Sequence, residues 1–300
     1  MDRIALEAPA KINWSLDVVG KRPDGYHLLS TVMQAVSLAD RVDVELRPAA
    51  EGVVLECDRE GIPCDVRNTC HRAASRFLAE AAGSVRAGVR IRIAKRIPEA
   101  AGLAGGSTDA AATILALARL LPGAVSSARL PGIAVATGAD VPFCLFGGTS
   151  LCEGIGEILT PLPAFEGVPL LLLKGPFGVS TPAAFRALSL DDLVDRPDTA
   201  GVCRAVAARN LAALSAATGN VLWPVALAQH PALADGLSAL ASTGPLIARM
   251  SGSGPTLFAG YADAAERDRA AASPALDALR RTGWFLASCE SVAHGPREVT

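Results

Sequence analysis

The chain has 300 residues, half of them apolar and 19% charged, enough for one large or two mid-sized globular domains with a sizeable core. Its 28 basic residues nearly balance 30 acidic ones, and the signs are scattered, so the one-signed footprint that nucleic acid requires is missing. No run approaches the roughly 18 apolar residues that span a bilayer, and MDRIALEAPA has no apolar signal core; the expectation is a soluble, cytoplasmic chain with no membrane partner, a monomer or weak homodimer.

Residues 3–57 read as β-rich, with ALEAPAKINWSLDVV, VMQAVSL and RVDVELR as strands and GKRPDGYHLL as a punctuated loop. From Asn68 to Ala82 the apolar spacing is helical, and VRIRIAK (89–95) alternates as a half-buried strand. After the stretch PEAAGLAGGSTD (98–109), an apolar stripe of Ala110, Ala111, Ile114, Leu115, Ala118 and Leu121 predicts a helix that stops at Pro122-Gly123. A short helix near 129–137 follows, then TGADVPFCLFGGTSLCEGIGE, read as a loop and two short strands around Gly147-Gly148. The proline-rich TPLPAFEGVP (160–169) reads as a linker. Beyond it come a strand (170–174), alanine-rich helices, a hairpin-like LIARMSGSGPTLFAGY, a helix and a last strand, WFLASCESV. The order predicts an α+β chain in two parts: an N-terminal catalytic domain over 1–163 and a C-terminal α+β domain over 164–300.

Seven cysteines form no Cys-x-x-Cys pair, and four histidines are widely spaced. They read as reduced core thiols and scattered imidazoles, and no metal ligand set follows from them.

The stretch 98–109 leads from a strand into a helix. It lacks both the terminal Gly-Lys-Ser/Thr of the Walker loop and the Gly-x-Gly-x-x-Gly spacing of dinucleotide folds. Gly102, Gly105 and Gly106 let backbone N–H groups approach a ligand without a Cβ in the way. Ser107, Thr108 and Asp109 are N-cap types where a helix start favours anions. On these residues alone the loop fits a polyphosphate site or a tight turn packed by small residues.

The pattern Pro-x-x-x-Gly-Leu-x-Gly-Gly-Ser-Thr-Asp-Ala-Ala resembles the phosphate-binding motif of the GHMP kinases, whose other two motifs are similar to APAKINWSLDVVGKRPDGYHLL and MSGSGPTLFA. The resemblance implies a two-domain kinase with ATP and magnesium in the interdomain cleft. It places Pro98, Gly102, Leu103, Ala104, Gly105, Gly106, Ser107 and Thr108, with Ser251, Gly252 and Gly254, around the phosphates, and Asn68 and Lys95 near the adenine. It makes Asp140, in GADVP, the catalytic base and Lys11, in PAKIN, its partner. Taken without the family, the lesser reading of Asp140 is a turn residue before Pro142, whereas a lone strand lysine such as Lys11 is more often solvated.

The combination of PAKIN, GKRPDGYH and GADVPF is similar to the branch of the family whose acceptor is a cytidine diphosphate ester of methylerythritol. In that branch Asn13, Tyr26, His27, Thr181 and Phe185 bind the acceptor, with the tyrosine ring on the cytosine. Homoserine or mevalonate kinases, or a non-catalytic nucleotide-binding protein, are the alternatives. Two departures stand out. Ala100 and Ala104 replace loop glycines, which is tolerable if both keep φ < 0, and Asn220-Val221-Leu222 stands where relatives have Asn-Asp-Leu.

Overall fold

The computed structural model describes residues 2–48, 52–81 and 87–299. The first part of the chain contains β1 (Arg3–Lys21), β2 (His27–Arg47), β3 (Val53–Cys57), α1 (Thr69–Glu80), β4 (Gly88–Ala94), α2 (Gly105–Leu120), α3 (Leu130–Thr137), α4 (Val141–Phe146), β5 (Thr149–Gly154) and β6 (Ile158–Pro161). The second contains β7 (Pro169–Lys174), α5 (Thr181–Ala187), α6 (Thr199–Ala207), α7 (Leu211–Ala217), α8 (Trp223–Gln229), α9 (Ala232–Ala241), β8 (Ile247–Met250), β9 (Thr256–Gly260), α10 (Ala264–Ala271), α11 (Pro274–Arg281), β10 (Phe285–Glu290) and β11 (Arg297–Glu298).

β1 and β2 form a long antiparallel hairpin on which the molecule is built. Side chains alternate along β1: Ala10, Ile12, Trp14 and Leu16 enter apolar cores, while Lys11, Asn13, Ser15 and Asp17 are polar and nevertheless buried. Register shifts between Pro9 and Ala10 and between Asn13 and Ser15 bracket Lys11. Bulges of this kind bend a strand and re-aim its side chains.

Two local expectations are corrected here. The runs VMQAVSL and RVDVELR belong to one strand of 21 residues, because the first half of β2 pairs with β5 and the second half with β4. A strand with two neighbours in succession needs no turn between its apolar runs. The stretch after Asp140 is a helix, α4, rather than a loop leading to strands. Pro142 lies in its first turn, where a missing N–H leaves no hydrogen bond unmade.

β3 runs parallel to β4, and β6 pairs with β5, completing a seven-stranded sheet. Helices α1 to α4 pack on it through Phe77, Ile114, Leu117, Ile133 and Phe143. β10, β7, β9 and β8 make a second, antiparallel sheet of four strands. β7 is apolar on both faces: Leu171 and Leu173 meet the helices of the second part, whereas Leu170 and Leu172 meet Ile12 and Trp14 of β1. The Trp14 ring sits 5.5 Å from that of Phe258 and 5.8 Å from that of Phe165. Removing a ring of this kind costs about 3 to 5 kcal/mol in a packed core, so the junction of the two sheets is a core in its own right.

The end of the chain returns to the first sheet. Val292 donates its N–H to the Ala35 carbonyl, and β11 pairs with β1 at Leu6 and Glu7. Gly147 makes this return possible: with φ +71, a Cβ there would lie 2.0 Å from the Gly295 nitrogen. Gly147→Ala is therefore expected to lower stability by about 2 kcal/mol or more, through backbone strain and overpacking together. A urea titration against the parent reads this directly, and an unchanged midpoint would contradict it.

Candidate active site

A cavity of about 450 Å³ opens between the two sheets, lined by Lys11 and Asn13 of β1, the loop Pro98–Ser107, Asp140, Thr181 and Phe185 of α5, and Gly252 and Ser253. Its size is ordinary for a small-molecule cleft. Two helix starts face it, those of α1 at Asn68 and Thr69 and of α2 at Ala104 and Gly105. Their first N–H groups have no intrahelical partner and carry the positive dipole end, which suits an anion. The Thr69 hydroxyl donates to the Gly106 carbonyl at 2.6 Å and ties the two starts together.

Two glycine loops meet on the cavity wall, 98–106 from the first sheet and 251–254 from the second. The Ser251 hydroxyl donates to the Gly102 carbonyl at 3.1 Å, and a Cβ on Gly102 would stand 2.5 Å from the Ser251 carbonyl oxygen. Glycine is needed there for room as well as for its φ of +72. Gly252, with φ +59, would direct a Cβ to within 3.5 Å of the Lys11 ammonium. Asn220 supports the second loop, donating from its side-chain amide to the carbonyls of Met250 and Gly252 at 2.9 Å each. The segment of unknown role is thus a brace for the loop, and Val221 beside it is buried in the core.

Lys11 is 5% exposed. Its ammonium donates to Asn13 Oδ1 at 2.8 Å and to the Gly102 carbonyl at 3.1 Å, and lies 3.7 Å from Asp140 Oδ2. Asn13 is held in turn by its amide donating to Thr31 Oγ1 at 2.7 Å. Asp140 precedes α4, makes no capping bond with its own side chain, and is the more open member of the pair. A fixed cation beside a partly open carboxylate can orient a hydroxyl and take its proton while offsetting negative charge nearby.

The structure gathers most of the residues singled out from the sequence and leaves a few aside. Asn68, Lys95, Pro98, Leu103, Ala104, Gly105, Gly106 and Ser107 line the cavity with those already named. Thr108 does not: it is fully buried and its hydroxyl has no partner. Ser107, Thr108 and Asp109 are not caps, because α2 begins at Gly105 with Ala104 as its N-cap residue. Asn68 does cap α1, accepting from the Cys70 N–H. Ser251 and Gly254 sit behind the wall, and Tyr26 stands on the hairpin tip, 59% exposed and outside the cavity. His27 stacks on Phe185 at 5.2 Å; partial burial, helped by Lys21, holds its pKa below the usual value, so the ring is neutral at pH 7. A Cβ on Gly105 would meet Ile97 and Lys95 at 3.1 and 3.2 Å, so this glycine is required by packing beneath the loop.

Lining residues that lie outside the three motifs include Met33, Ile62, Pro63 and Arg67. They reach the cavity by strand pairing and by the path of the chain before α1, neither of which leaves a local signal. All seven cysteines are free; four are buried, whereas Cys64 is exposed and so is no core thiol. No cluster of three or more His, Cys, Asp or Glu suited to a metal occurs among the described residues.

Comparison with known proteins agrees with this geometry. The profile of the GHMP kinases N terminal domain matches residues 68–148, and that of the GHMP kinases C terminal domain matches residues 204–283. The chain belongs to the GHMP kinases. It is an ATP-dependent small-molecule kinase by that membership. The 4-diphosphocytidyl-2-C-methyl-D-erythritol kinase of Acetivibrio thermocellus is 44% identical over 258 residues, 86% of this chain and 90% of the relative. That of Brevibacillus brevis is 44% identical over 257 residues, 86% and 87% of the two chains. A crystal structure of 4-(cytidine 5'-diphospho)-2C-methyl-D-erythritol kinase superposes with a TM-score of 0.79 at 34% identity, covering 96% of this chain and 99% of that one. Homoserine kinase from Cytophaga hutchinsonii superposes as well, TM-score 0.80, over 100% and 98% of the two chains, but at 20% identity. That likeness reports the fold alone.

Ala100 and Ala104 do not keep φ < 0. Their φ values are +46 and +58, in the left-handed region, where a side chain costs about 1 to 2 kcal/mol. Each loop alanine thus carries strain that a glycine would avoid. Ala100→Gly and Ala104→Gly are each expected to raise stability by about 0.5 to 1 kcal/mol, the relief of strain exceeding the added freedom of the unfolded chain. Equilibrium unfolding of the two variants measures it, and a loss of stability in both would refute the strain.

Proposed function

We propose that this chain transfers the γ-phosphoryl of ATP to the 2-hydroxyl of 4-diphosphocytidyl-2-C-methyl-D-erythritol, with Lys11 and Asp140 as the catalytic pair. The observation that carries the phosphoryl-transfer reading is the 3.7 Å approach of Lys11 and Asp140 inside a cavity walled by two glycine loops. The acceptor follows from the relatives that are 44% identical over most of the chain, because the fold is shared equally with a homoserine kinase.

In this reading the phosphates lie along Gly102–Ser107 and Gly252, against the start of α2, and the adenine lies toward Asn68. Asp140 accepts the proton of the acceptor hydroxyl as its oxygen bonds to the γ-phosphorus. The bond from that phosphorus to the bridging oxygen breaks, and ADP leaves. The Lys11 ammonium is held by Asn13 and the Gly102 carbonyl, and its remaining N–H offsets charge on the transferring group. The described residues do not form a cage for magnesium. The ion is read as entering on ATP, with phosphate oxygens and water as its main ligands.

The acceptor enters from the hairpin tip. Phe185 and Thr181 wall that side of the cavity, and the exposed ring of Tyr26 stacks on the cytosine while neutral His27 offers a donor and an acceptor to its edge. Residues 1–163 are read as the ATP-binding and catalytic domain and 164–300 as the domain that completes the site. Free thiols and an ATP-dependent reaction suit a cytoplasmic enzyme, acting as a monomer or weak homodimer.

ATP consumption with a panel of acceptors tests the assignment. The cytidine-bearing diphosphate should be phosphorylated, and homoserine, mevalonate and the nucleotide-free methylerythritol phosphate should be poor; preference for any of those three would reject the acceptor named here. Asp140→Asn is expected to cut kcat by about 10²-fold or more with ATP affinity nearly unchanged, and Lys11→Met to slow turnover similarly. A folded Asp140→Asn enzyme with near-normal turnover would remove Asp140 from its role. Tyr26→Ala should raise the KM for the cytidine-bearing acceptor by roughly 5- to 150-fold with the KM for ATP little changed, by analogy with base stacking on aromatic rings. An effect on ATP alone would place the cytosine elsewhere.

A further inference from the structure

Beneath the first glycine loop lies a buried cluster of three charged side chains that the reaction above does not use. The Lys95 ammonium, at the end of β4, bonds to Asp40 Oδ2 of β2 and, at 2.8 Å, to Asp109 Oδ2 in the first turns of α2. The side chains of Lys95 and Asp109 are 4% exposed and that of Asp40 is fully buried. The other carboxylate oxygen of Asp40 accepts the backbone N–H groups of Arg96 and Ile97 at 2.6 and 2.8 Å, the last residues before Pro98. The cluster therefore fastens both ends of the loop: Asp40 holds its entry, Asp109 lies just past its exit, and Lys95 joins them directly under Gly105.

Three such groups are costly to bury. A hydrophobic filling would support a turn equally well, so the charges call for a reason. Asp109 supplies one. Its Oδ1 is buried without a hydrogen-bond partner, although the residue lines the cavity.

We propose that Asp40, Lys95 and Asp109 are positioning residues that set the phosphate loop for ATP, and that Asp109 does so in its protonated, uncharged form. Lys95 and Asp40 then neutralise each other, and no net charge lies beneath the loop. When Asp109 loses its proton, the cluster gains a negative charge under the site that receives a polyanion, and ATP binds less well. The proposal rests on the reading of loop 98–106 as the phosphate site.

The surroundings of Asp109 are consistent with this. Burial, opposed by Lys95 and reinforced by Asp40, pushes its pKa up to about 8. Burial works against the Lys95 ammonium, but Asp109 and Asp40 outweigh it and raise its pKa, so Lys95 keeps its charge. The other titratable groups coupled to Asp109 are Cys70 of α1 and Cys144 of α4, both held as neutral thiols by full burial. Burial beside Asp40 thus makes Asp109 a weaker acid that gives up its proton only as pH rises.

The test is equilibrium binding of a non-hydrolysable ATP analogue, without acceptor, from pH 6.5 to 9.5, to the full chain and to Asp109→Asn and Asp40→Asn. For the parent, affinity should fall about tenfold as pH rises through 8, the scale expected of one unscreened charge near a polyanion. In Asp109→Asn, which keeps the shape and cannot ionise, that alkaline loss should vanish. In Asp40→Asn, which keeps an oxygen for the Arg96 and Ile97 N–H groups, Lys95 and an ionised Asp109 balance each other, so the alkaline loss should vanish there too while the KM for the acceptor stays within twofold; a merely structural aspartate would lower the melting temperature and leave the pH profile of nucleotide affinity alone. If Asp40→Asn does not fold, the Asp109→Asn profile decides by itself. An alkaline loss that persists in Asp109→Asn, or none in the parent, overturns the proposal. Failure of the parent to bind the analogue at pH 7 would instead reject the phosphate reading of the loop.

Discussion

The carbonyl of Gly102 is the point on which the site depends. It accepts from the Lys11 ammonium and from the Ser251 hydroxyl, both at 3.1 Å, so one oxygen atom joins Lys11 to both glycine loops. The junction closes only because Gly102 has no side chain: a Cβ would collide with the Ser251 carbonyl. Strand β1 places Lys11 and Asn13 under the junction, and the first two of the three register shifts in β1 bracket that placement. The packing of Trp14 and Ile12 on the second sheet brings the second loop to meet it. A shift of either sheet would separate atoms that now share a hydrogen bond.

Charge is arranged around the same point in two layers. Facing the cavity are the cation of Lys11 and two helix starts, all favourable to a polyphosphate, with the carboxylate of Asp140 set at the edge where an acceptor hydroxyl can approach. Behind the loop the Asp40, Lys95 and Asp109 cluster is almost wholly buried. The low dielectric there makes any net charge felt at the site more strongly than a surface charge would be. Lys95 lines the cavity, yet its ammonium is committed to two carboxylates, which makes it part of the support for the loop more than a free cation for ATP.

Second-part elements do not merely cover the cleft. Thr181 shares a hydrogen bond of 2.8 Å with Ser253, so helix α5, which walls one side of the cavity, is tied to the second glycine loop. Asn220 holds the carbonyls of the same loop from behind. These links give the opposite walls of the cavity a common frame.

What the sequence determined by itself was chemistry carried by contiguous residues. The glycine loop between a strand and a helix, the lysine of PAKIN, the aspartate of GADVP and the second glycine loop are short patterns whose residue types are dictated locally, by φ, by the absence of Cβ, or by the need for a cation and a carboxylate. It also specified the α+β order and the family. Only the tertiary structure decided what depends on distant partners. That β2 is one strand, that the chain end returns past Gly147, that Ala100 and Ala104 are left-handed, and that Thr108 turns into the core are results of pairing and packing, which outweigh local preference. Asp40 stands 55 residues before Lys95 and 69 before Asp109, and nothing in VSLADRV marks it. A buried ion cluster is assembled by three elements meeting in space, and each of its residues, read alone, is an ordinary charge in an ordinary stretch of chain.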